Sequence, residues 1–393
     1  MSDNPFGILT DEPVPASRVR VDDVIAGGRA RVRRRRGIVA GVCAAVLVLA
    51  TVAGVAVGAP RGGPAHPDPA PPPVPSVSAH PSGCTVTTID VGGDIGGLFT
   101  APDGRHLAFS RAPDPGLLIL YRDGAVVREY HTGERFQTTA LNTAGIAVGM
   151  QGDDAYRTTA DGAVVTLPRP SGALRVVAYG INAAGDIVGE AWMPGKKFRA
   201  VLWRHTALDV PVLLPTPSGK SSSASGITDD GRVIGDIDQG AIPYLWNADG
   251  TGATLPTPPG MPGGRPLQIA GDWITGMVNY LSIKDFDPVT GHRTGAGNPK
   301  PARWHLSAGT VEPLETTDVF NGSGRITADG TLVINRFTDA AFWNGGTMIP
   351  LPAPPGYERV QITSISADGR VLAGAASKNT GGSIEPFRWD CRR

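Results

Sequence analysis

Residues 178–189 read AYGINAAGDIVG. Short apolar runs flank an Asn-x-x-Gly core, the pattern of two strands joined by a tight turn, with Asn182 and Gly185 as the turn formers. Six further stretches repeat the design: GLFTAPDGRHLAF (97–109), TALNTAGIAVG (139–149), SGITDDGRVIG (225–235), LQIAGDWITG (267–276), GRITADGTLVI (324–334) and TSISADGRVLAG (363–374). The turn glycines are Gly104, Gly145, Gly185, Gly231, Gly271, Gly330 and Gly369, spaced by 39 to 46 residues in five of the six intervals and by 59 in the other. The long interval carries an insertion, and the fifth copy has lost its polar turn. A fixed period of this length marks stacked units that bury their faces only against one another.

A second anchor fixes the register. Each copy continues into an aromatic followed by a polar residue: Tyr121–Arg122, Tyr156–Arg157, Trp203–Arg204, Trp246–Asn247, Trp304–His305, Trp343–Asn344 and Trp389–Asp390. An aromatic repeated in every unit is expected to fill the space between neighbouring sheets rather than to form a binding platform. A Gly turn follows in several copies (Asp123–Gly124, Asp161–Gly162, Asp249–Gly250, Gly345–Gly346), then a short strand such as AVVREY (125–130). Four short strands in about 40 residues is a propeller blade, so the copies predict an all-β, seven-bladed propeller.

The two ends specify how the ring closes. The last copy stops at its third strand, IEPFRWDC, while TVTTIDV (85–91) stands alone ahead of the first complete unit. Adding this strand to the last blade gives a 3+1 closure and leaves no unpaired edge. Cys84 begins the orphan strand and Cys391 ends the last one, so antiparallel pairing predicts a Cys84–Cys391 disulfide. Closing so long a loop is worth roughly 4–5 kcal/mol in the chain-entropy model.

Copy three, Ala178 to Gly189 followed by Arg199–Ala–Val–Leu–Trp203 and Leu214–Pro215, resembles the bacterial HAF-type extracellular repeat, as does Ala341–Phe342–Trp343. The Arg-rich tail, apolar stretch and Pro-rich spacer described next are also similar to those of actinobacterial membrane-anchored propellers. The resemblance implies an architecture and an extracellular location, and it brings no catalytic residues with it.

Ahead of the repeats the chain changes character. Residues 1–36 are polar and end in Arg31, Arg33, Arg34, Arg35 and Arg36. Next comes GIVAGVCAAVLVLATVAGVAVGA (37–59), uncharged and, as a helix, about 34 Å long. The arginines orient it with the tail cytoplasmic and contact anionic lipid. The run exceeds the apolar core of a cleaved signal peptide, so an uncleaved anchor is expected. Residues 60–83 hold nine prolines, a stiff spacer. The expected organisation is therefore tail 1–36, transmembrane helix 37–59, linker 60–83 and propeller 84–393.

Glycine (53 residues) and proline (36) are abundant, yet 41% of residues are hydrophobic, which argues against disorder throughout. Zero net charge excludes a generally basic nucleic-acid binder, and three cysteines are too few for a disulfide-rich mini-protein. Catalytic signals are weak. The acids Asp103, Asp229, Asp230, Asp329 and Asp368 sit at turns, where they first serve as turn formers. His106, His131, His205, His292 and His305 show no ligand spacing, and Asp236/Asp238 and Asp285/Asp287 do not continue into calcium loops. No cofactor is expected. The densest polar and aromatic group lies in the insertion of blade five: Tyr280, Lys284, Asp285, Phe286, Asp287, His292 and Arg293, with a smaller counterpart at Trp192–Phe198. Rigid rings carry function on such loops. The expectation is a non-catalytic binding module at the cell envelope, monomeric, taking a protein or glycan ligand. The alternatives are a glycan hydrolase using paired carboxylates and a sensor signalling through its short tail.

Overall fold

The computed structural model describes residues 82–90, 95–111, 116–131, 136–195, 197–279, 299–315, 319–378 and 384–392. The basic tail, the apolar stretch 37–59, Cys43 and the spacer through residue 81 lie outside the described residues, as do residues 280–298 of the insertion. The described elements are strands in seven four-stranded antiparallel sheets, with one 3-10 turn at Pro217–Gly219. Among them no helix is long and apolar enough to cross a membrane.

Six blades follow chain order from an innermost first strand to an outermost fourth, and the closing blade takes its fourth strand from earlier in the chain. The first strands are Ile95–Thr100, Phe136–Leu141, Arg175–Ile181, Ser222–Ile227, Gly264–Ala270, Val319–Ile326 and Arg359–Ile365. Each touches the next, and the seventh returns to the first, so they ring a central axis. The closing blade adds Ser82–Thr88 to Ile384–Arg392, with Thr85 opposite Asp390 and Thr88 opposite Phe387. The N-terminal strand begins and ends three residues earlier than the sequence reading placed it, because its pairing extends out to Arg392. Cys84 and Cys391 form the disulfide, their Cα atoms 3.9 Å apart and 307 residues apart in sequence. Blade five is as complete as the others despite its altered turn: Ala270 pairs with Trp273 across Gly271, whose φ is +58°.

The repeated aromatics pack between blades. Trp203, Trp246, Trp304 and Trp389 are buried on third strands. Each indole N–H donates to a proline carbonyl at the end of the preceding blade: Pro168 (2.9 Å), Pro215 (2.7 Å), Pro256 (2.7 Å) and Pro352 (2.9 Å). The leucine before each of these prolines is buried as well. A Leu-Pro step thus fills the seam and supplies the acceptor that a buried indole needs.

The last glycine of the repeat has a separate cause. Gly149, Gly189, Gly235, Gly276 and Gly374 each face a bulge in the first strand of their own blade. A Cβ at any of them would overlap a carbonyl oxygen of that strand. The two copies that end otherwise, in Phe109 and Ile334, have their irregularity displaced to 95–97 and 319–324. The glycine and the bulge come as a pair, since only a residue without Cβ admits so close an approach.

Candidate functional site

The bulge aims one first-strand side chain at the next blade. In blades two, four and seven this residue is Thr139, Ser225 or Thr363, whose hydroxyl donates to Ala178 O (2.7 Å), Pro266 O (2.8 Å) and Leu98 O respectively. Blade three instead carries Tyr179, half-buried and without a hydrogen bond among the described residues. The next residue, Gly180, lies directly against Gly226 of blade four.

Around Tyr179 this seam gathers charge. Glu190 and Asp236 occupy one repeat position, the residue after the bulge-facing glycine, in blades three and four. They are 8% and 4% exposed. The same position holds Ser110, Met150, Met277, Asn335 and Ala375 in the other blades, so carboxylates appear there only in this adjacent pair. Glu190 accepts from Trp192 Nε1 at 2.6 Å and from Ser223 of blade four. Asp236 accepts from Gly240 N at 2.6 Å and lies 3.7 Å from Arg265 Nε of blade five. Arg175 stacks over the Trp192 ring, 4.7 Å from its centroid, and its buried Nε makes no hydrogen bond. Trp192 itself is 38% exposed and packs edge-on against Phe198 at 5.4 Å.

Burial dominates the electrostatics. It raises the Asp236 carboxyl to about 6, with Arg265 opposing and the Glu190 charge adding to the rise. It raises Glu190 too, against the bonds from Ser223 and Trp192 and the two guanidiniums. The Tyr179 phenol is pushed up to about 12, first by burial and then by Glu190. Two proton-retentive carboxyls, two guanidiniums, a phenol and a partly open indole therefore meet at one seam. The group can donate to and accept from a polar ligand, and it can hold a proton near neutrality.

The sequence reading reached only part of this site. Trp192 and Phe198 belong to the smaller loop it singled out, whereas Tyr280, Lys284, Asp285, Phe286, Asp287, His292 and Arg293 lie outside the described residues. The turn acids act as turn formers: Asp103 and Asp368 accept from the N–H of Arg105 and Arg370, each at 3.0 Å, and Asp230 and Asp329 accept from Thr228 and Thr327. Asp229 reaches across a seam to Ala183 N at 2.8 Å. His205 pairs with Asp186 at 2.7 Å. Burial opposes ionisation of Asp186, but the bonds from His205 outweigh it and hold the carboxyl low. Ser307, His305 and Asp272 come together, but both contacts, 3.3 Å each, fall on His305 Nε2. A nucleophile relay needs the two ring nitrogens separately, so this trio lacks that geometry. His305 instead stacks on Trp273, ring centroids 4.1 Å apart. No cluster of metal-ligand residues occurs among the described residues.

No protein-family model and no curated protein matches the sequence. Solved structures do. A catalytically inactive virginiamycin B lyase from Staphylococcus aureus, with quinupristin, is 14% identical with a TM-score of 0.52, covering 78% of this chain and 99% of that one. U3-55K is 9% identical with a TM-score of 0.51, covering 78% and 98%. The chain is thus similar in fold to propellers of unlike description, and at this identity the likeness is one of fold alone.

Proposed function

We propose that the chain is a binding module displayed at the cell envelope, anchored by residues 37–59 and built from HAF-type repeats. Its recognition site is the seam between blades three and four. The observation that carries this reading is the placement of Glu190 and Asp236 at one repeat position on adjacent blades, among Arg175, Tyr179, Trp192, Ser223 and Arg265. Carboxylates and guanidiniums beside an accessible indole suit a hydroxyl-rich ligand, so a glycan is the favoured class. The disulfide supports an oxidising compartment, and the uncharged run behind five arginines supports an N-in orientation.

The test is capture of envelope glycans by the full chain, alongside Glu190→Gln and Asp236→Asn. Both variants should lose capture at least tenfold while still unfolding cooperatively, with no fall in midpoint at neutral pH. Equal capture by wild type and both variants would remove the site. Reporter fusions at the two termini test orientation: activity of a periplasm-dependent reporter at the N-terminus would overturn it.

A second reading, hydrolysis of the same glycans, has one observation in its favour: two neighbouring carboxyls both held above their ordinary range, as a general acid requires. New reducing ends released by wild type but not by Glu190→Gln would favour it over binding alone.

A further inference from the structure

Among the described seam residues Arg325 stands apart. It lies on the innermost strand of blade six, opposite Val333. Its Nε donates to Thr363 O of blade seven, and Nη1 donates to Gly324 O at 3.3 Å. Nearby arginines are neutralised by carboxylates: Arg303 by Glu312 at 2.8 Å, and Arg336 by Asp339. Arg325 pairs with no carboxylate among the described residues.

The repeat shows that the seam does not need this charge. Gln268 of blade five and Ser364 of blade seven hold the equivalent position, and each bonds the next blade with a neutral group. Gln268 Oε1 accepts from Ile326 N at 3.1 Å, and Ser364 Oγ accepts from Thr100 N at 2.7 Å. The guanidinium also combines two properties. Surrounding protein desolvates it enough to lower its pKa to about 10, yet the side chain keeps accessible surface. Both hold together for a group that lines a narrow interior passage, and the first strands ring the axis of the propeller. Two of its five N–H donors go to main-chain carbonyls, leaving three for a guest. A desolvated cation is costly unless something supplies the opposite charge.

We propose that Arg325 anchors an anion-binding site at the central channel, taking the carboxylate or phosphoryl group of a small ligand. The site is separate from the seam between blades three and four and does not depend on the function assigned to that seam.

The test uses the full chain in detergent, at constant ionic strength set with chloride. Inorganic phosphate and acetate are titrated in separate arms while thermal unfolding is followed by tryptophan fluorescence. At least one arm should raise the midpoint by about 2 °C or more at saturation. The stronger arm identifies the source, phosphoryl or carboxylate. Arg325→Gln should abolish the rise and leave the anion-free midpoint unchanged or higher, because Gln268 already does the seam's work in blade five. Arg325→Lys, which keeps the charge, should retain a weakened rise even if the Gln variant fails to fold. No rise in either arm, or an undiminished rise in Arg325→Gln, would overturn the proposal. So would a fall of several degrees in the anion-free midpoint of Arg325→Gln, which would mark the guanidinium as a structural bond.

Discussion

The seam between blades seven and one and the seam between blades three and four are built on the same backbone and differ in their use of it. At the first, Thr363 and Ser364 bond to Leu98 O and Thr100 N, and Ala367 N reaches Pro102 O at 2.8 Å. The strands Ser82–Thr88 and Ile384–Arg392 pair in blade seven, and the disulfide joins them there. At the second, the matching first-strand residues are Tyr179 and Gly180, and the polar capacity has moved outward to Glu190, Trp192, Ser223 and Asp236. One seam satisfies its groups internally, whereas the other keeps desolvated charge and an accessible indole. A repeat therefore constrains backbone and packing residues everywhere, while leaving a few seam positions open to a ligand.

The largest effect should come from the device that both seams share. Gly189→Ala places a Cβ against Val177 O and is expected to cost about 4 kcal/mol or more, or to prevent folding. Ala at Ile334, where the bulge is displaced, should cost only a cavity, about 2–4 kcal/mol. Denaturant titration of the two variants checks the pairing of glycine and bulge, which equal costs would undo.

Next comes the latch. Cys84→Ser with Cys391→Ser is expected to lose about 4–5 kcal/mol, an upper-end value for so long a loop. Urea unfolding with and without reductant measures it. A loss under about 1 kcal/mol would mean that strand pairing alone closes the ring.

The acidic seam should show itself through pH. Asp236 titrates near 6 in the fold and near 3.9 when unfolded, so its folded pKa is raised. Its protonated form contributes stability that is fully present below about pH 4 and lost as pH rises through 6. Asp236→Asn should therefore gain on wild type between pH 4 and 7, by ~3 kcal/mol at most. A pH-independent difference would show that Arg265 already offsets the burial.

The smallest expected effects test the comparison most directly. Thr363→Val removes a seam bond and should cost about 1 kcal/mol, whereas Tyr179→Phe should change stability by less than about 0.5 kcal/mol. Tyr179→Phe should instead weaken ligand capture. Equal stability losses would make the two seams alike.

The aromatic anchor was readable as packing because a residue type fixed in every copy reports a need common to every blade. Its hydrogen-bond partner was also present in the sequence, as the Leu-Pro steps 167–168, 214–215, 255–256 and 351–352. The motif's last glycine was visible, but its reason was not, since a strand bulge leaves no local signal beyond that glycine. Glu190 escaped notice because it stands in no motif, and Asp236 was weighed only with Asp238 as an Asp-x-Asp pair. The usable sign was their shared register, acids at a position that is otherwise Ser, Met, Asn or Ala. The same register comparison would have found Arg325 against Gln268 and Ser364.

By itself the sequence determined the number of blades, the 3+1 closure and the disulfide, because periodicity and chain ends are properties of order along a chain. Which side chains meet was decided only by the tertiary structure. Seam contacts join residues about one repeat apart, through a bulge that turns one side chain toward its neighbour. Only the closed ring sets Asp236 beside Arg265 and brings Arg325 against Thr363 of blade seven with no carboxylate partner among the described residues.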